Sequence, residues 1–406
     1  MTDKIRFAVR KFDPFEQAMQ RCWEQYKQEK QVDYEMEFVP LDLEELYDAL
    51  FLKKGLENGD WDIAHINTDW LPQASYQGDL VPLNQFIKNN PPEKYEIGWS
   101  ESLLSLQEFN GQIMGLPFHD GPECLVYRKD LFEDPQERER FHAKYNKELK
   151  VPETWTEFLE VSEFFNRPSE NLYGSVFAGY PDGHNAVFDI CIQIWSRGGE
   201  ILKAGEITLS DPKVRESLEF YRKLFKTKGI IHPESENFES VKAGGAFANG
   251  EVAMMINWFG FASWAHIDEQ SVVKGQVEIA PIPADRPELS PSLNVYWVYA
   301  ISQGSRHKER AYDFIRYAVS IANDKALTLS GGVGCRRSTW HDTEINASIP
   351  FYKKLPELHE TARSLPRMRK WADVAIIIDK MTTQAIQTDK GIQELIAEAE
   401  KEIKAL

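Results

Sequence analysis

The chain has no run of about 18 apolar residues, the length needed to cross a membrane as a helix. Its first ten residues, MTDKIRFAVR, lack the apolar core of a signal peptide. Histidine is scarce, with nine dispersed copies, so no metal centre is expected. The four cysteines, Cys22, Cys124, Cys191 and Cys335, form no CxxC pair and have no zinc spacing. They read as free or partly buried thiols, with one structural disulfide left open if the protein is exported. Basic residues are in deficit, with 47 Lys plus Arg against 64 Asp plus Glu and a formal charge of −17. That balance argues against non-specific nucleic-acid binding and against adhesion to anionic membranes. No nucleophile elbow, Walker loop, dinucleotide fingerprint or HExxH occurs, and the glycine pairs at 198–199, 244–245 and 331–332 lack phosphate-loop flanks. No catalytic residue and no cofactor is therefore assigned.

What the chain does have is length and aromatic content. At 406 residues it exceeds one ordinary core, so two domains are expected. Ile5–Arg10, Tyr34–Val39 and Asp62–Ile66 read as strands, and Phe12–Glu29, Leu43–Gly55 and Leu71–Gln77 as the helices after them. Alternation of this kind implies an α/β fold with parallel sheets, in which ligands bind beyond the C-terminal strand ends. Arg10, Lys11 and Phe12 follow the first strand; Asn67, Asp69 and Trp70 follow the third. Further strands are expected at Cys124–Arg128, Val277–Pro281 and Val295–Ile301. Further helices are expected from Pro152 through Phe165, from Ser210 to Lys226, over Arg306–Ser320 and over Ile392–Leu406.

The stretch FANGEVAMMINWFGFASW, 247–264, is the most informative. A glycine turn leads into a short apolar strand, Val252–Ile256, which delivers Asn257, Trp258, Phe259, Phe261 and Trp264 together. Such a cluster either closes a core or forms a platform for a flat ligand.

Five segments in order resemble a known family. They are DIAHINTDWLPQASYQGDLVPL (62–83), NGQIMGLPF with LVYRKDLF (110–118 and 125–132), VPETWTEFLE (151–160), FANGEVAMMIN (247–257), and GSRHKERAYDFIRYAVS followed by GGVGCRRS (304–320 and 331–338). Together they resemble the extracellular solute-binding proteins of ABC importers, in particular the sugar-binding group. In the last loop Gly334-Cys335-Arg336 stands where the family usually has a proline-containing form. The resemblance implies a two-lobed, class II periplasmic-binding-protein-like fold with parallel or mixed sheets, helices on both faces and a three-crossing hinge. It implies one lobe from 1–117 and 260–318 and another from 118–259 and 319–406. The crossings are then expected near Leu116–Asp120, Trp258–Phe261 and Ser320–Asp324. It also implies a monomer in the periplasm or on the outer cell face, with a leader outside the given sequence and a membrane permease as partner.

A sugar presents C–H faces that pack on aromatic rings and hydroxyls that need donors and acceptors. The chain pairs these residue types at strand ends: Asp69 with Trp70, His119 with Asp120, Asn257 with Trp258, and Asn294 with Tyr296 and Trp297. Trp258 is the first candidate for stacking, against packing in the core or at the hinge. Trp70 and Trp195 are candidates with core packing as the rival. Trp155 reads as core, and the turn Tyr180–His184 is a weaker candidate. Arg10, Lys11, Arg336 and Arg337 suggest an anionic group on the sugar, with surface salt bridging as the rival. The expected function is capture of a sugar, oligosaccharide or glycoside between closing lobes. The alternatives are a carbohydrate-acting enzyme, or a binding protein of the same fold for a polyamine or another solute.

Overall fold

Two sheets organise residues 4–406, which a computed structural model describes. Their strands in chain order are β1 (Lys4–Arg10), β2 (Glu35–Leu41), β3 (Ile63–Asn67), β4 (Leu116–His119), β5 (Glu123–Arg128), β6 (Tyr173–Val176), β7 (Val252–Trp258), β8 (Val277–Ala280) and β9 (Trp297–Ile301). The first sheet has the order β2-β1-β3-β9-β4 and the second β8-β5-β7-β6. β1 pairs in parallel with β2 and β3, whereas β9 runs antiparallel to both β3 and β4. In the second sheet β7 is parallel to β6 and antiparallel to β5. Both sheets are therefore mixed. β3 is buried at all five positions and β7 from Val252 to Asn257, as expected of strands covered on both faces.

The sequence places the helices for identifiable reasons. Asp13–Lys30 carries acidic residues in its first turn and basic ones in its last, which complements the helix dipole. It buries Phe15, Met19, Cys22, Trp23 and Tyr26, the face expected from their spacing. Trp155–Phe164 starts with a reciprocal capping box between Thr154 and Glu157. Trp155 is buried and its indole N–H donates to Ser196 Oγ at 2.9 Å, a core role. All four cysteines are buried free thiols.

The chain forms two compact units. One comprises the residues up to Gly121, Val295–Pro356 and Arg367–Trp371; the other comprises Pro122–Asn294, Glu357–Pro366 and Ala372–Leu406. This division differs from the expected one at 260–294 and 319–356, and over the shorter stretches 118–121 and 367–371, which lie in the first unit. Residues 260–294 lie in the second unit, because β8 pairs with β5 from Val277↔Arg128 to Ala280↔Leu125. The chain therefore does not change unit at Trp258–Phe261: β7 runs through Trp258 and turns directly into the helix Phe259–Ile267. Residues 319–356 lie in the first unit, held by contacts of the 333–336 loop described below. The first change of unit, after Gly121, falls next to the expected segment Leu116–Asp120.

Candidate functional site

In the first unit, the C-terminal ends of β1, β3 and β4 and the start of β9 supply the polar residues. Trp297, the first residue of β9, is in register with Asn67 on one side and His119 on the other, with the ladder shifting between Trp297 and Val298. Thr68 and Tyr296 exchange hydrogen bonds beside it: the Thr68 N–H donates to the Tyr296 carbonyl and the Tyr296 N–H to Thr68 Oγ1. Trp297 is half-buried, whereas Trp70 is buried and edge-on to it, with centroids 5.7 Å apart and planes at 90°. Trp70 also packs on Tyr47 and Phe51, so the core reading describes it and Trp297 keeps the accessible ring.

Two histidines back this edge as neutral rings. His65 lies 4.1 Å from Phe118 in a stack, and its Nδ1 accepts the Arg10 N–H at 3.3 Å. Burial pushes its imidazole well below the usual histidine range, with His119 adding to the effect. His119 Nδ1 accepts the Val333 N–H at 2.9 Å, and burial pulls its pKa down to about 3 against the opposing charge of Asp120. Asp120 returns a backbone bond to the Val333 carbonyl at 3.0 Å. Asp69 and Asp120 are both buried. Arg10 is buried with one guanidinium N–H on the Lys11 carbonyl, whereas Lys11 is exposed.

Arg336 departs from the expectation of a ligand contact. It is fully buried, its guanidinium donates to the Val319 and Glu93 carbonyls, and it lies 3.7 Å over the Trp99 ring. Its backbone N–H, with that of Cys335, donates to Asp324. This arginine holds the 333–336 loop and has no guanidinium face turned to solvent.

In the second unit, Trp258 ends β7 half-buried, in register with Glu123 and 5.8 Å from the Phe188 ring at 84°. The Asn257 side chain is engaged locally: it donates to the Ser240 carbonyl at 3.1 Å and accepts the Trp258 N–H at 2.8 Å. It ties down the backbone at Trp258. Trp195 is buried under the Arg363 guanidinium, 4.7 Å from its centroid, and Arg363 pairs with Glu200 at 2.7 Å. Core packing describes Trp195.

The sequence reading missed the acids behind Trp258. Glu123 and Asp189 are buried neighbours, and Tyr221 donates to Asp189 at 2.7 Å. Burial raises Asp189 to about 8, with Asp182 adding to the shift, and raises Glu123 well above the carboxylate range. Asp379 accepts the Gly183 N–H at 3.2 Å and is raised to about 7 by burial and by Asp182. Asp182 caps its own turn, accepting from the N–H groups of His184 and Asn185 at 2.9 and 3.0 Å. A signal existed: Glu123, Asp189 and Asp379 each border or interrupt an apolar run, in ECLVY, VFDICI and AIIIDKM. Trp371 was also missed, a buried indole whose Nε1 has no acceptor among the described residues. Among those residues no cluster of His, Cys, Asp and Glu has metal-binding geometry, and no helix is long and apolar enough to cross a membrane.

The chain is similar along most of its length to known proteins. It is 24% identical over 359 residues to the mannitol-binding protein of Pseudomonas aeruginosa, covering 84% of this chain and 77% of that one. Its fold matches the maltose-bound MalE3 of T. maritima with a TM-score of 0.86 at 22% identity, over 100% of each chain. It matches an ABC transporter solute-binding protein of Agrobacterium radiobacter K84 in complex with ribitol equally well, with a TM-score of 0.86 at 23% identity over 99% and 98% of the chains. The sequence pattern of the bacterial extracellular solute-binding proteins matches residues 12–325, and this chain belongs to that family.

Proposed function

We propose that this protein is the substrate-binding component of an ABC importer and that its ligand is a carbohydrate or polyol. One observation carries the reading: each unit sets a half-buried indole at a strand end beside buried polar groups. In the first unit this is Trp297 with Asn67 and His119; in the second it is Trp258 with Glu123. An indole face accepts the C–H face of a sugar, and buried carboxyls and imidazoles bond its hydroxyls. The mannitol, maltose and ribitol bound by the relatives support the same class. Asp69, Asp120 and Arg10 are proposed to complete the first unit's contacts. Capture without chemistry, a location in the periplasm or on the outer cell face, and delivery to a membrane permease by a monomeric protein follow from this reading.

A thermal-shift screen against sugars, polyols and glycosides tests it. Ligand at about 100 times its dissociation constant adds about 2.7 kcal/mol to stability. The expected result is a saturable shift with recovery of unchanged ligand. Absence of a shift with every carbohydrate and polyol, or turnover of the bound one, overturns the proposal.

A further inference from the structure

Asp182, Asp189, Asp379 and Glu123 form one electrostatic group inside the second unit. Asp182 acts on both Asp189 and Asp379, and Asp189 acts on Glu123. Glu239, the cap of the helix Ser240–Ala248, adds its charge at Asp182. The neighbouring charges are thus themselves acidic. Arg363 acts on Cys191 and is paired with Glu200, and the buried His184 sits on the turn with its backbone N–H on Asp182.

Two of the four carboxyls keep an oxygen with no hydrogen-bond partner among the described residues: Glu123 Oε2 and Asp379 Oδ1. Both side chains are more than nine-tenths buried, at 4% and 7% exposure. They come from different elements, β5 and the helix Trp371–Gln387. Asp379 is tied to the turn 180–184 through Gly183, and Glu123 lies opposite Trp258. The half-buried Trp258 pairs with Glu123 across the ladder, and the exposed Tyr180 stands in the turn that Asp182 caps.

Buried carboxyls without partners cost several kcal/mol each when ionised, unless a cation compensates them. Tyr221 provides one neutral donor, to Asp189. An alkylammonium brings three N–H donors and a positive charge, and aromatic faces attract it as well. We propose that this carboxyl group receives a cationic nitrogen, so that the ligand is an amino sugar or an amino polyol. The inference rests on the carbohydrate reading above and narrows its substrate class. It also reverses the anionic ligand suggested by the basic pairs in the sequence. Arrival of the ammonium favours the ionised carboxyls, and the protons they give up pass to the solvent.

Calorimetric titration of the whole chain tests the idea. The neutral probes are D-glucitol, D-glucose and cellobiose; their counterparts are 1-amino-1-deoxy-D-glucitol, D-glucosamine and the β-1,4-linked glucosamine disaccharide. In at least one pair the amine is expected to bind tenfold or more tightly than its parent at pH 7.5. The margin narrows at pH 5.5, and proton release shows as a dependence of the heat on the buffer's ionisation enthalpy. Asp379→Asn and Glu123→Gln are each expected to reduce the preference below threefold, and the proton release of the unaltered protein serves as a readout independent of either variant's folding. A neutral parent that binds as tightly as its amine, or amine binding without proton release, overturns the cationic inference and leaves the carbohydrate reading standing. Binding by no member of either set, while the thermal-shift screen finds another carbohydrate or polyol that binds, overturns the cationic inference alone; the carbohydrate reading falls only if that screen is also blank.

Discussion

Tyr221 donates its phenolic hydrogen bond to Asp189 at 2.7 Å, inside the second unit where both side chains are buried. Asp189 holds its proton to about pH 8, so the acceptor is a neutral acid at pH 6 and a carboxylate at pH 9. A bond to a charged acceptor is worth about twice one to a neutral group. Tyr221→Phe is therefore expected to cost about 1 kcal/mol at pH 6 and about 2–3 kcal/mol at pH 9. Urea denaturation at the two pH values checks this, and an equal cost at both contradicts it.

The buried acids also give the whole protein a pH profile. Burial raises Asp379 to about 7 and Asp189 to about 8, both above the ordinary aspartate value of 3.8. At these two positions the native state therefore holds more protons than the unfolded chain between pH 4 and 8, and their contribution to stability falls as pH rises through that window. His119 works in the opposite sense. Its folded pKa of about 3 lies below 6.5, so its contribution is present above pH 6.5 and is lost as pH falls toward 3. Asp379→Asn removes one of the carboxyls that destabilise the fold at alkaline pH. Relative to the unaltered protein it is expected to gain on the order of 2 kcal/mol on going from pH 4.5 to pH 8. Thermal melts across that range measure the gain, and parallel profiles for the two proteins contradict it.

Much of the architecture was legible, because apolar runs and caps are local signals. β1, the helix Asp13–Lys30 and the helix Pro212–Lys226 fall where spacing and capping residues put them. The unit membership of 260–294 was not legible, since it is set by the pairing of β8 with a strand about 150 residues earlier. The site was legible only in part. Trp258 and Trp297 are half-buried at strand ends, whereas Trp70 shows the same sequence context and is buried, as is Trp195 at the end of the helix Asn185–Trp195. Position after a strand does not say which way an indole points. Nor does a basic residue in a loop reveal whether its guanidinium meets solvent or, as in Arg336, two backbone carbonyls.

Arg336 is expected to behave as a structural residue. Alanine there removes the donors to the Val319 and Glu93 carbonyls and the stack on Trp99, and opens a cavity. A loss of about 3–5 kcal/mol of stability is expected. Ligand affinity of the folded fraction should change less than threefold. Denaturation paired with calorimetry separates the two effects, and a tenfold affinity loss at unchanged stability would restore a direct ligand contact.

The two touching indoles of the first unit give the sharpest contrast. Trp70 is buried among Tyr47, Phe51 and Trp297, so Trp70→Ala leaves a cavity and is expected to cost about 3–5 kcal/mol of stability. Trp297 is half-buried at the start of β9, and its truncation removes less packed surface. Trp297→Ala is expected to cost under about 2 kcal/mol of stability. It should weaken the ligand found in the thermal-shift screen by tenfold or more, about 1.4 kcal/mol. Trp258→Ala should follow Trp297→Ala, since its ring is likewise half-buried at a strand end. The measurements are melts of the three variants without ligand and titrations of each with the ligand. If Trp70→Ala lost affinity while keeping its stability, and Trp297→Ala did the reverse, the assignment of platform and support would have to be exchanged.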